Sequence, residues 1–195
     1  MYRFACFIIN IAAHIIYRIQ VEGAEHIPQD GAFILCSNHI HSYDPAMLAI
    51  SIKRQLRFMA KKELFRTKIL GSFFRSVGAF PVDRGAADMT SYRTAMKELK
   101  SGMGLLVFSQ GTRIQKLDIK GAKGGVALFA VKSKAPVIPA GISGSYRWFT
   151  KLNIRFGPAI TLDDYYGGPL RAEQIDEIMA GIMAEVEKLI ASVSG

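Results

Sequence analysis

Ala32-Phe33-Ile34-Leu35-Cys36-Ser37-Asn38-His39-Ile40-His41-Ser42-Tyr43-Asp44-Pro45 changes character twice in a short space. The apolar run at its start reads as a strand. Asp44-Pro45 reads as a helix start, with Asp as N-cap and Pro at the first helical position, where its missing N–H costs nothing. A strand that hands over to a helix through one tight polar loop is the building unit of a layered α/β fold.

Working outward, the same alternation recurs along the chain. Strands are expected at Ala32–Ser37, Leu56–Ala60, Val77–Pro81, Gly104–Ser109, Val137–Ile142 and Asn153–Phe156. Helices are expected at Pro45–Ile52, Lys68–Ser76, Thr90–Ser101, Gly124–Lys134 and Arg171–Ser192. The last carries Ile175, Ile178, Met179, Ile182, Val186 and Ile190 on one stripe, suited to covering a sheet. The expectation is an α/β fold with a central, mostly parallel sheet flanked by helices. No repeat or long Pro/Gly/Ser linker divides the 195 residues, so residues 21–195 are expected to form one domain.

Residues 1–20 read differently. Phe4, Phe7, Ile8, Ile9, Ile11, Ile15, Ile16 and Ile19 leave few polar positions, and Arg3, Asn10, His14 and Arg18 fall within about 80° on a helical wheel. Tyr17-Arg18-Ile19-Gln20 continues the pattern, giving an amphipathic helix suited to the headgroup region of a membrane. A core-packing helix, a short spanning helix and a signal peptide compete with that reading. No small-x-small cleavage site follows, and the stretch barely reaches spanning length.

The chain has 25 Lys+Arg against 16 Asp+Glu, a net charge of +9. Lys53, Arg54, Arg57, Lys61, Lys62, Arg66, Lys68 and Arg75 face one acid, Glu63, between Ser51 and Arg75. A basic concentration calls for an anionic partner: nucleic acid, an anionic membrane or a phosphorylated substrate. No zinc-finger spacing or RRM aromatic signature supports nucleic acid. Cys6 and Cys36 stand far apart in apolar surroundings, which fits buried thiols in a reducing compartment rather than a disulfide or a metal site.

The polar clusters Asn38–Asp44, Asp83–Arg84 and Gln110–Arg113 each follow an expected strand, and ligands of α/β sheets collect outside the carboxyl ends of the strands. An Asp44 carboxylate bonded to Nδ1–H of His39 would leave Nε2 to accept a substrate proton. Equally, Asp44 could be a helix cap and His39 a satisfied loop histidine. His14, His26 and His41 have no partner pattern, and Asp83 beside Arg84 is open to reading as a local ion pair.

The order of the clusters separates these readings. Asn38-His39 with Asp44 gives N-H-x-x-x-x-D, and Gly78 with Arg84 gives G-x-x-x-x-x-R. Phe108-Ser109-Gln110-Gly111-Thr112-Arg113 and Ala135-Pro136-Val137-Ile138-Pro139 follow. Together they resemble the four ordered blocks of the glycerolipid acyltransferase family, the 1-acylglycerol-3-phosphate acyltransferases. Phe58-Met59-Ala60-Lys61-Lys62-Glu63-Leu64 is similar to the family's lysine-containing segment. The resemblance runs from about Gly23 to Ile160. One departure stands out: the family's third block usually carries Pro-Glu where this chain has Ser109-Gln110.

The resemblance implies acyl transfer with His39 as general base and Asp44 as its orienting partner. It also implies acyl-CoA or an acyl carrier protein as donor, with no cofactor and no metal. Arg84, Arg113 and Lys61 would hold the phosphate of a lysophosphatidate-like acceptor. Gln110, Gly111 and Thr112 would form a supporting loop whose backbone approaches phosphate or oxyanion. The expected product is phosphatidate for phospholipid synthesis, made at the cytoplasmic face of a membrane with membrane lipids as partners and no nucleic acid. Competing expectations keep the chemistry on another acceptor (glycerol 3-phosphate, another lysophospholipid or a lipidated amine) or make the chain a non-catalytic binder of anionic lipid.

Overall fold

In the computed structural model, which describes residues 1–83, 88–109 and 124–191, the chain begins α1 (Tyr2–Ile16), β1 (Arg18–Glu22), β2 (Phe33–Ser37) and α2 (Asp44–Ile50). It continues with β3 (Leu56–Lys61), α3 (Lys68–Ser76), β4 (Ala79–Val82), α4 (Met89–Lys100) and β5 (Gly104–Phe108). It closes with α5 (Gly125–Ser133), β6 (Val137–Gly144), β7 (Lys151–Phe156) and α6 (Ala172–Ala191).

The seven strands form one sheet in the order β1-β7-β6-β2-β5-β3-β4. All neighbours pair parallel except β6 with β7. The run that opened the sequence is β2. Every one of its residues is buried, because it sits mid-sheet between β5 and β6 with a layer on each face. Ile34 and Cys36 face a core shared with α4, α5 and α6, while Phe33 and Leu35 face one shared with α1 and α2. Burial pushes the Cys36 thiol up to about 12, which makes it a packing group rather than a nucleophile.

Two positions in the fold require glycine. At Gly78, φ is +93° and an added Cβ would stand 2.4 Å from the Leu56 carbonyl oxygen, so this turn into β4 excludes any side chain. At Gly141, an added Cβ would meet Leu189 Cβ at 2.8 Å. There α6 lies directly on β6, with Ile178, Met179, Ile182, Met183 and Val186 buried beneath it.

Two expectations need correction. Residues 18–20 do not prolong the first helix. The chain turns extended at Tyr17 and β1 begins at Arg18, pairing among the described residues with β7 alone at the sheet edge. Arg155 on β7 grips Glu22 through two hydrogen bonds, at 2.7 and 3.2 Å. Such a short, exposed edge strand has little apolar signal, and the cross-strand partner that fixes it lies far away in sequence. A boundary between residues 20 and 21 therefore cuts a strand. The second correction concerns Asp44, which makes no side-chain bond to the first turn of α2.

Helix α1 buries Ala13 and packs Ile9 against the core, yet leaves Phe4, Phe7, Ile8, Ile11 and Ile15 exposed, Phe4 and Ile15 by 66% and 68%. Exposed Trp148 and Phe149 adjoin its end, where the Phe149 N–H donates to the Ile16 carbonyl at 2.7 Å. Among the described residues, no helix is long and apolar enough to cross a membrane.

Candidate active site

The loop between β2 and α2 is built around one carboxylate. Asp44 is fully buried and His39 is 7% exposed. His39 Nδ1 lies 2.7 Å from Asp44 Oδ2, which also accepts the backbone N–H of Ile40 at 2.7 Å and of His41 at 2.8 Å. The other oxygen, Oδ1, accepts the Tyr146 hydroxyl at 2.6 Å. A carboxylate so surrounded only accepts, so Nδ1 of His39 carries the proton and Nε2 keeps its lone pair. The group that would have capped α2 is instead turned back into the loop that precedes it.

The loop is anchored at its start as well. Asn38 reaches β6, where its Nδ2 donates to the Ile142 carbonyl and its Oδ1 accepts the Ile142 N–H, both at 2.8 Å. It acts as one more rung of the sheet just past the end of β2. Phe108, the last residue of β5, lies flat against the His39 ring with centroids 3.9 Å apart. Imidazole rotation is thus blocked by a hydrogen bond at Nδ1 and a stacked ring on one face.

Beside His39 opens a cavity of about 430 Å³. Its walls are Tyr2, Cys6 and Ile9 of α1, Ala46 and Ala49 of α2, Phe58 of β3 and Phe73 of α3. Most of that lining is apolar, which suits an alkyl chain rather than a sugar or a base. Burial pushes the Tyr2 phenol up to about 12, and its hydroxyl oxygen accepts the Leu56 N–H at 3.1 Å. Lys61, at the end of β3, also lines the cavity and lies 3.8 Å from Glu63.

The other predicted site residues fare differently. Arg84, Gln110, Gly111, Thr112 and Arg113 lie outside the described residues. The strands leading to them, β4 and β5, end at the same sheet edge as β2 and β3. Several cations of the basic stretch prove structural. Arg54 donates to the carbonyls of Pro28, Gly31 and Gly102 at 2.8–2.9 Å, and Arg57 pairs with Glu98 at 3.0 Å. Asp83 meets Lys62. His26 bonds the Phe156 carbonyl at 2.8 Å and is likewise structural. Tyr146 and the stacking role of Phe108 were not legible in the sequence, because each acts on a residue distant along the chain.

Comparison with known proteins bears on this geometry. The family model named Acyltransferase matches residues 18–143. A 1-acyl-sn-glycerol-3-phosphate acyltransferase of Bacillus subtilis is 34% identical over 145 residues, covering 74% of this chain and 72% of that one. The enzyme of the same name from Streptococcus pneumoniae is 32% identical over 168 residues, 83% of this chain, which spans 61% of that protein's length. The crystal structure of the 1-acyl-sn-glycerophosphate acyltransferase PlsC from Thermotoga maritima superposes with a TM-score of 0.75, covering 96% of this chain and 79% of that one. At 23% identity that likeness speaks for the fold alone. With the family matched across β1 to β6 and the buried His39–Asp44 pair inside the match, the chain belongs to the acyltransferase family.

Proposed function

We propose that this chain moves a fatty acyl group from acyl-CoA or an acyl carrier protein to the sn-2 hydroxyl of 1-acylglycerol-3-phosphate, giving phosphatidate. The observation that carries this reading is a buried His–Asp pair opening onto an apolar cavity. The names of the Bacillus and Streptococcus relatives support the same acceptor.

In this mechanism Nε2 of His39 takes the proton of the acceptor hydroxyl as its oxygen attacks the thioester carbonyl carbon. The tetrahedral intermediate collapses with cleavage of the C–S bond, and the departing thiolate recovers the proton from the imidazolium. Asp44 holds the ring in the required tautomer and stabilises the transient positive charge. Lys61, with Arg84 and Arg113, provides the cations for the acceptor phosphate, and the Gln110-Gly111-Thr112 loop directly precedes Arg113 in sequence. The cavity takes an acyl chain. Donor and acceptor are substrates, and the step needs no further group.

The membrane part of the proposal rests on the outer side of α1. Its exposed Phe and Ile stripe, continued by Trp148 and Phe149, suits insertion into the headgroup region from the cytoplasmic side. The acceptor would then reach the cavity without leaving the lipid phase.

The test is a purified-protein assay across acceptors. Lysophosphatidate should be used at least a hundredfold more efficiently, by kcat/KM, than the monoacylglycerol that lacks the phosphate. Equal efficiencies would remove the phosphate roles of Lys61, Arg84 and Arg113. The exchange of Glu for Gln110 makes the acceptor panel the informative variable.

A further inference from the structure

Helix α3 turns its apolar side the wrong way for a helix that only covers a core. Ile69 is 85% exposed, and Leu70 and Phe73 are about half exposed. Residues 69, 70 and 73 share one side of the helix. Arg66 and Lys68 beside them are exposed as well. The inward side is held by Gly71, buried so closely that an added Cβ would stand 3.1 Å from the Phe65 carbonyl oxygen. Phe73 belongs to both surfaces, exposed on one side and lining the cavity on the other. The same cavity is lined by α1, whose own outer stripe is apolar.

We propose that α3 is a second lipid-contacting element, which seats the cavity mouth on an anionic bilayer together with α1. Large aliphatic and aromatic side chains flanked by cations are the composition of an interfacial helix. Continuity of the patch with the cavity favours a bilayer over a soluble partner. The inference rests on the membrane reading above, and its test separates the two.

The experiment uses the full chain and its Ile69→Ser/Leu70→Ser variant, neither residue lining the cavity. Sedimentation with vesicles of phosphatidylcholine containing phosphatidylglycerol measures partitioning. The variant should partition at least tenfold more weakly, while turnover of a short-chain, water-soluble lysophosphatidate stays at the wild-type level. Equal partitioning of the two proteins would overturn the role of α3 and leave α1 as anchor. A wild-type chain that does not partition would overturn the membrane reading itself. A variant that binds vesicles normally but changes oligomeric state, or loses turnover only with acyl carrier protein, would assign the patch to a protein partner.

A separate observation carries a second inference. Tyr146 donates to Asp44 Oδ1 from the turn after β6, while Oδ2 is held by three N–H groups. Its ring is wedged between His41, stacked at 4.4 Å, and Tyr17, edge-on at 5.6 Å. We infer that Tyr146 is a positioning residue, which stops the Asp44 carboxylate from pivoting away from His39. Burial and the neighbouring Asp44 charge push the phenol well above its ordinary value, so it remains a donor.

Tyr146→Phe keeps the ring contacts and removes only the hydroxyl. It should lower kcat by ten- to a hundredfold with KM for both substrates unchanged, and have no further effect when Asp44 is already Ala. The same proportional loss in both backgrounds, or a raised KM with kcat intact, would contradict the inference.

Discussion

The loop from Asn38 to Pro45 and the helix α1 line one cavity, and they are finished in opposite ways. In the loop, every polar group that matters has an internal partner: Asn38 is bonded to β6, and Asp44 accepts from His39, Ile40, His41 and Tyr146. In α1, the large apolar side chains Phe4, Phe7, Ile8, Ile11 and Ile15 are left exposed. On the proposed mechanism, the constellation that holds the proton acceptor in place is closed by the fold itself. On the proposed membrane reading, the exposed surface is left for lipid to close. Burial and exposure are thus two halves of one design.

The largest effect that would break this contrast comes from the closed side. Asp44→Asn replaces an acceptor with a group that also donates, so the Ile40 and His41 N–H groups meet an amide and the His39 tautomer is no longer set. It should reduce kcat by about 10²–10⁴, read by steady-state assay, with KM for the acceptor little changed. On the open side, Ile8→Asp with Ile11→Asp places two charges in the outward stripe. Vesicle partitioning should fall by at least tenfold in a sedimentation assay, while the thermal midpoint and turnover of a soluble acceptor hold. If that pair instead lowered turnover of the soluble acceptor, the outer stripe would belong to the closed half.

The smallest expected effect lies in neither region and serves as their common reference. Asp88 caps α4, accepting the N–H groups of Asp83, Thr90 and Ser91 and the Ser91 hydroxyl, and these bonds hold its carboxyl down to about 2. A group lowered in the folded state contributes stability above its ordinary value of 3.8, and that contribution fades as pH falls through 2. Acid melts of Asp88→Ala should therefore lack part of the wild-type loss between about pH 4 and 2, with activity at neutral pH unchanged. A full wild-type acid transition in the variant would move that sensitivity elsewhere.

What the sequence disclosed follows the reach of each interaction. His39 and Asp44 are five positions apart and meet within one loop, so their pairing was readable, and short apolar runs alternating with helix-like segments pointed to an α/β layer structure. The partners that complete the site come from far along the chain. Tyr146 lies 102 positions from Asp44, and Ile142 lies 104 from Asn38. No local pattern points across such distances. The β1 strand was hidden for the same reason, since Arg155, which fixes Glu22, is 133 positions away. Charge misled in a different way: Arg54 and Arg57 look like part of an anion-binding surface in one dimension, and in three they hold loops and a helix.

The measurement that bears most directly on the central claim is the kinetics of His39→Ala on vesicle-borne lysophosphatidate with a saturating acyl donor. Loss of the general base predicts a fall in kcat of about 10²–10⁴ with vesicle binding and acceptor KM close to wild type. Wild-type turnover in that variant would contradict the assignment of acyl transfer to the His39–Asp44 pair.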